Sequence, residues 1–197
     1  MQLERYDSES GFRVWFNNQD YQTLLDAVDD AKRTLWLRLQ RECGLRPDEV
    51  GRVTHDDIRW IDDDHAYLRV KQSKTGYRET PIPSELVDDI EKAVSYGDLR
   101  KDEPVVDRHA DTLSRWMREA REEVAEQTGN SDWQYATPHD LRRTWATYTY
   151  YSIPHGSAQQ VVMSWGGWSD ADTFFTNYVG RVPDEVATEM MDAADIN

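Results

Sequence analysis

Apolar residues first recur at helical spacing between about Asp20 and Cys43, through Leu24, Leu25, Val28, Leu35 and Leu39. Gly44 reads as the stop of that helix. Pro47 sits in the first turn of a short helix expected to reach about Val53, since proline there gives up no intrahelical hydrogen bond. The period then changes to two. Asp57-Ile58-Arg59-Trp60-Ile61, Ala66-Tyr67-Leu68-Arg69-Val70 and Arg78-Glu79-Thr80-Pro81-Ile82 alternate along their length. Polar turns separate them at Asp62 to Asp64 and at Ser73-Lys74-Thr75-Gly76, which predicts a small three-stranded antiparallel sheet.

After Pro83, Ser84 is the expected cap of a helix to about Ser95. Further helices are expected from about Thr112 to Gln127, from Pro138-His139 to Tyr150, from Ser157 to Trp165 and from Asp170 to Tyr178, with a last one after Pro183. A Gly-Gly pair at Gly166-Gly167 breaks the chain before the Asp170 helix. Residues 1–18 read as a short, partly ordered lead-in, and residues 19–197 as one domain without repeat or linker. The fold class is mainly α with one small three-stranded antiparallel sheet, an α+β arrangement.

Composition narrows the class. A chain of 197 residues with 38% hydrophobic residues can bury a substantial core and is not disordered. No apolar run is long enough to span a bilayer. The polar start Met1-Gln2-Leu3-Glu4-Arg5 is not a signal peptide. The single Cys43 excludes an internal disulfide and a cysteine-based metal cluster, and a reducing cytoplasm is the expected compartment.

Candidate chemistry begins with absences. The chain has no glycine-rich phosphate loop, no Walker lysine motif and no His-Glu-x-x-His helix. Its five histidines (His55, His65, His109, His139 and His155) lack metal-ligand spacing. No cofactor, nucleotide or metal is therefore expected. The stretch His139-Asp140-Leu141-Arg142-Arg143 stands out. His139 and Arg142 lie three apart at the positive start of a helix, where an anion is favoured. A proton-transfer group beside a forked phosphate donor is what phosphoryl transfer needs. A plainer account is equally available: His139 caps the helix and Arg142 makes a surface ion pair.

His139-x-Leu141-Arg142-Arg143 resembles the second signature box of the tyrosine recombinases, the phage-integrase family. Gly44-Leu45-Arg46-Pro47-Asp48-Glu49-Val50 resembles the first box, with Arg46 as its arginine. Gln72-Ser73-Lys74-Thr75-Gly76 is similar to the hairpin that carries the family's catalytic lysine, here Lys74. Gly166-Gly167-Trp168 followed by Tyr178 resembles the third box and the nucleophile. The pieces occur in the family's order over roughly residues 20 to 190. Taken singly each has another reading: Arg46 could answer nearby acids, Lys74 could be a solvated turn residue, and Trp168 could be core. Tyr178 falls four residues after Phe174, beside Phe175, which alone reads as a core-facing aromatic stripe.

The resemblance implies a tyrosine recombinase catalytic-domain fold and strand cleavage on double-stranded DNA. Tyr178 would attack a phosphate to give a 3′-phosphotyrosyl bond and a free 5′-hydroxyl. Arg46 and Arg142 would grip the non-bridging oxygens, Lys74 would protonate the leaving oxygen, and His139 would assist proton movement at the tyrosine. Trp168 stands where the family often has histidine, so it would clamp a phosphate oxygen without moving a proton. Glu49, three residues after Arg46 on the same helix, would orient that fork. The segment after Pro183 resembles the one that family members exchange between protomers, which implies a tetramer on DNA. The N-terminal clamp domain that family members usually carry has no counterpart in these residues. Two other functions stay open: a catalytically silent DNA-binding module, and a relaxing activity like that of type IB topoisomerases.

The charge runs against a DNA partner. Asp and Glu number 38 against 23 Lys and Arg, a net −15, whereas phosphate binding rewards a basic surface. The acids are spread along the chain, as at Asp29-Asp30, Asp62-Asp63-Asp64 and Asp88-Asp89. Either the protein is an ordinary acidic one with a local basic site, or it is built for high salt, where the Debye length falls to about 3 Å at 1 M. A surface built for high salt predicts loss of helical circular dichroism on dialysis to low salt; a full signal without salt contradicts it.

Overall fold

The helical spacing between Asp20 and Cys43 resolves into two helices, not one. In the computed structural model, which describes residues 1–6, 10–71, 76–154 and 156–196, α1 spans Asn18–Asp26 and α2 spans Ala31–Cys43. The first is closed by a reciprocal cap in which the Asn17 side chain accepts from Asp20 N at 2.7 Å and the Asp20 carboxylate accepts from Asn17 N at 2.9 Å. The second restarts where the Asp30 carboxylate accepts from Arg33 N at 3.0 Å. Part of an acidic run thus serves as a helix cap. Gly44 ends α2 in the left-handed region, with φ 64°. A Cβ there would also lie 2.1 Å from the Trp145 ring, so the turn and the helix packed on it both require glycine.

Pro47 opens α3, which is shorter than expected and covers Pro47–Val50. The sheet is the expected one: β3 (Ile58–Trp60), β4 (Ala66–Val70) and β5 (Arg78–Ile82) pair antiparallel in that order. Its register sets Ala66 against Ile82, Leu68 against Thr80 and Val70 against Arg78, all on the buried face. That register carries an arginine inward together with apolar neighbours.

Helix α4 covers Ser84–Tyr96, with Pro83 rather than Ser84 at the cap position. Helix α5 (Ala110–Thr128) buries Leu113, Trp116, Met117, Ala120 and Val124, a stripe at three- and four-residue spacing. Then come α6 (Pro138–Ser152), α7 (Ala158–Gly166), α8 (Ala171–Tyr178) and α9 (Asp184–Ala193). No helix among the described residues is long and apolar enough to cross a membrane.

Residues 1–18 depart furthest from expectation. The described residues among them do more than lead in: β1 (Gln2–Arg5) and β2 (Phe12–Trp15) pair antiparallel as a hairpin, and Val14 and Phe16 are buried in the main core. The free edge of β2 is satisfied by α6, not by another strand. Val14 N donates to Asp140 Oδ1 at 3.1 Å, and Phe16 N donates to Thr144 Oγ1 at 3.0 Å. The helix on which this hairpin docks lies more than a hundred residues further along the chain.

Helix α6 packs against α2, β2, α7 and α8 and is the wall between two apolar clusters. The larger cluster runs from Val14 to Leu141; the smaller gathers Trp145, Ala146, Val162 and Phe174. Phe16→Ala should cost about 3–5 kcal/mol in urea unfolding, the usual range for a buried phenylalanine. A cost within about 0.5 kcal/mol, typical of surface positions, would contradict the docked hairpin.

Candidate active site

Three arginines from distant parts of the chain converge on the end of one helix. The last carbonyls of α7 have no partner within the helix, as at any helix C-terminus. Trp165 O accepts from Arg78 Nε at 2.9 Å, Gly166 O from Arg142 Nη2 at 2.7 Å, and Gly167 O from Arg46 Nη2 at 3.0 Å. Cations at this negative pole are favoured by the helix dipole as well. Gly167 turns the chain there with φ 72°.

Glu49 holds two of the three guanidiniums from the other side. Its carboxylate accepts from Arg46 N at 2.7 Å and Arg46 Nη1 at 2.9 Å. It also accepts from Arg78 Nη1 at 2.7 Å and Arg78 Nη2 at 2.6 Å. Burial by itself would push the Glu49 carboxyl up, but the hydrogen bonds and charge of Arg78, the Arg46 amide and the Arg142 charge outweigh it, bringing the pKa down to about 2. The fork contact expected between Glu49 and Arg46 is therefore present. Arg78 was not among the expected site residues. Its signal was the period-two alternation, which puts it on the same strand face as Thr80 and Ile82.

Arg142 lies one turn into α6 and has no solvent exposure. Its Nη1 donates to Gly44 O, so the residue bridges the ends of α2 and α7. Its guanidinium sits 4.1 Å from the centre of the Trp168 ring and 5.6 Å from that of Tyr178. Burial, then repulsion from Arg46 and Arg78, pull its pKa down to about 9, which leaves it cationic at neutral pH. It is not a surface ion-pair residue. Nor does His139 cap the helix: Thr137 is the cap residue, and its N and Oγ1 donate to Asp140 Oδ2 at 2.8 and 2.6 Å. His139 lies at the exposed rim of α6 with protein crowding its inner side. Burial and the charges of Arg143, Arg142 and Arg46 push its pKa below the ordinary 6.5, so the ring is neutral at pH 7.

Trp168 packs so closely on Gly166 that a Cβ there would lie 1.9 Å from its ring. The indole stacks on Trp145 with ring centres 6.1 Å apart, and it meets Phe174 at 5.0 Å and Tyr178 at 4.6 Å. Phe174 is fully buried, as a core stripe requires, while Tyr178 at the end of α8 is only partly buried. Arg46, Glu49, Arg142, Trp168 and Tyr178 are thus brought together, with His139 at the rim. Lys74 lies outside the described residues. The strands before and after it in sequence are β4 and β5, and next to β4 Lys71 Nζ pairs with Asp57 Oδ1 at 2.7 Å. No group of three or more His, Cys, Asp or Glu side chains among the described residues could hold a metal ion.

Among the described residues, Glu49 is the carboxylate that Arg46 and Arg78 share, while Arg142 donates to backbone carbonyls, so three guanidiniums gather at one place in an acidic protein. Glu49→Gln should leave buried Arg78 without a counter-charge and cost about 3–5 kcal/mol in chemical unfolding. A folded-state pKa of about 2 against an ordinary 4.5 stabilises the wild type fully above pH 4.5, and that contribution is lost as pH falls toward 2. The variant should lack this part of the acid sensitivity; unchanged stability and an unchanged acid slope would contradict the role given to Glu49.

No curated protein matches this sequence. Solved structures with a similar fold include XerA recombinase, at 16% identity and TM-score 0.68, with 92% of this chain covering 65% of that one. A Tn1549 transposon integrase in complex with transposon right end DNA matches at 16% identity and TM-score 0.68, with 95% of this chain covering 67% of that one. A lambda integrase dimer bound to a COC' core site matches at 21% identity and TM-score 0.62, with 89% of this chain covering 50% of that one. The chain therefore spans about half to two thirds of the length of these proteins, and at such identities the likeness is one of fold. The Phage integrase family model matches residues 14–183, and the chain belongs to that family.

Proposed function

We propose that this chain cuts and rejoins DNA at specific sites through a covalent bond between Tyr178 and a 3′-phosphate. The observation that carries the reading is the gathering of Arg46, Arg142, Trp168 and Tyr178 from four separate segments around the end of α7. The family and its DNA-bound structural neighbours support DNA as the partner.

The steps follow from charge and geometry. The Tyr178 hydroxyl attacks phosphorus, the bond to the 5′-oxygen breaks, and a phosphotyrosyl ester forms. Neutral His139 can take up the tyrosine proton, and Lys74 delivers one to the leaving 5′-oxygen. A 5′-hydroxyl from a partner strand then attacks the ester and releases Tyr178. The phosphodiester energy stays in the protein–DNA bond, so no nucleotide is consumed. Extra negative charge on the non-bridging oxygens is met by the Arg46 and Arg142 forks, with the Trp168 N–H as a further donor.

Arg142 has no exposed surface beneath the Trp168 and Tyr178 rings, so a phosphate reaches it only after those rings part. The assembly proposed on DNA is a tetramer joined through the C-terminal segment. In this structure α9 rests on its own chain, with Val186 buried and Tyr148 OH donating to Glu185 at 3.0 Å, so exchange would break those contacts.

The test is covalent trapping on nicked suicide duplexes drawn from the genomic neighbourhood, run at high salt. The wild type should give a denaturant-resistant protein–DNA band. Tyr178→Phe should give none and still bind DNA. Arg142→Ala should slow trapping by about 10²- to 10³-fold, the effect of removing one transition-state donor. A band that persists in Tyr178→Phe refutes the nucleophile; DNA binding without any wild-type band favours the silent binding module. Plasmid relaxation without strand exchange would favour the topoisomerase-like activity.

A further inference from the structure

The chain leaves α8 immediately after Tyr178 in an extended conformation, with Val179 at φ −94° and ψ 109°. It has no left-handed residue there to turn local donors onto the last carbonyls, which is the common way to end a helix. The donors come instead from far away. Asn177 O accepts from Arg143 Nε at 2.9 Å. Tyr178 O accepts from Thr147 Oγ1 at 2.8 Å and from Trp15 Nε1 at 3.2 Å. Two of these side chains belong to α6, and the third belongs to the N-terminal hairpin.

The hairpin touches the same turn in two more places. Arg13 Nη2 donates to Asn177 Oδ1 at 3.1 Å, and the Arg13 guanidinium lies 4.6 Å from the centre of the Tyr6 ring. Tyr6 OH in turn accepts from Arg143 Nη2 at 2.8 Å, which links the hairpin to the arginine that holds Asn177 O. Past Tyr178, the chain slides against the Trp15 indole so closely that a Cβ on Gly180 would lie 2.8 Å from the ring. The residues just before, at and just after Tyr178 are therefore all held from the hairpin side. The apolar anchor of α8 is Phe174, one turn earlier, which packs on Trp168 and Tyr150.

We propose that the N-terminal hairpin is a brace for the nucleophile and that Trp15 is a positioning residue for Tyr178. This rests on the reading of Tyr178 given above. Holding the Tyr178 carbonyl fixes the backbone from which the ring projects, and so fixes where its hydroxyl can meet a phosphate. A displacement of about 1 Å at a reacting atom typically costs about 10²-fold in rate. The hairpin is itself tied to α6 through Val14 N and Phe16 N, so the brace has a rigid base on the helix that carries Arg142.

Trp15→Phe in the full chain removes the indole N–H and keeps a ring in place. Ile90→Ala, which weakens the main core on α4 where that helix packs against α2, is the structural control. Three quantities are read in each: hydrogen exchange of the α8 amides, DNA affinity, and the single-turnover rate of adduct formation on the suicide duplexes. Trp15→Phe should lower protection near the end of α8 by about tenfold and slow adduct formation by about 10- to 100-fold at unchanged DNA affinity. Ile90→Ala should lower the melting temperature and leave the rate of the folded protein unchanged. A wild-type adduct with a Trp15→Phe rate equal to wild type overturns the brace, as does a rate loss that follows melting temperature alike in both variants. A wild type that forms no adduct overturns the reading of Tyr178 instead, and this role falls with it.

Discussion

The end of α7 presents three successive carbonyls, and three arginines answer them one by one. Trp165 O, Gly166 O and Gly167 O are each taken by a different guanidinium, from β5, α6 and the start of α3 respectively. No local cap could do this, because the chain must leave the helix through Gly167 to place Trp168. The arrangement therefore forces the sheet, α6 and α3 to meet at one point. Glu49 completes it by neutralising part of the charge so gathered, with four hydrogen bonds on a buried carboxylate. For stability alone, apolar residues of similar volume would join three elements as well as a buried ion pair does. A cluster of fixed guanidiniums makes sense where an anion has to be met.

That cluster also answers the charge of the whole chain. A net charge of −15 repels a polyanion over distances comparable to the Debye length, about 10 Å at 0.1 M salt. At the site, among the described residues, three guanidiniums (Arg46, Arg78 and Arg142) gather around the shared carboxylate of Glu49. Long-range repulsion weakens with added salt, whereas contacts inside a buried cluster are screened far less. Added salt would therefore ease the approach of a polyanion more than it would weaken contacts made inside the cluster. The two readings of composition, an acidic protein with a local basic site and a protein at home in high salt, are compatible in this structure.

Much of this was legible in the sequence, and the exceptions share a cause. Strands β3 to β5 were readable because alternation and polar turns are local signals. Helices α5 to α8 were readable because their apolar spacing and their Pro or Gly boundaries are local too. Arg46, Arg142, Trp168 and Tyr178 could be singled out by motif and order, and they lie together around α7. What escaped depends on partners far away in the chain. Arg78 looked like an ordinary strand residue, since Glu49, which gives it meaning, is 29 positions earlier. The hairpin looked like a lead-in, since the acceptor of Val14 N is Asp140, 126 positions later. The split between α1 and α2 was hidden differently: Asp30 reads as one more surface acid until its carboxylate is seen on Arg33 N.

A common device links the two helix ends that frame Tyr178. Neither α7 nor α8 has its last carbonyls satisfied by its own turn alone; side chains from α6 serve both, Arg142 at the first and Arg143 and Thr147 at the second. Consecutive arginines on one helix thus point to different helices and do different work. Arg142 is sunk beneath Trp168 and Tyr178, while Arg143 grips the backbone of Asn177 and the hydroxyl of Tyr6. Polar groups buried this way cost about 1–3 kcal/mol each when left unpaired, and Arg142 carries one such atom in its Nε. Pairing them with backbone atoms of neighbouring elements, more than with one another, turns that requirement into positional control. A shift of α6 would have to break bonds at both helix ends at once. The relative position of Arg142 and Tyr178 is therefore set by α6, and the hairpin docked on it through Val14 and Phe16 is part of the same frame.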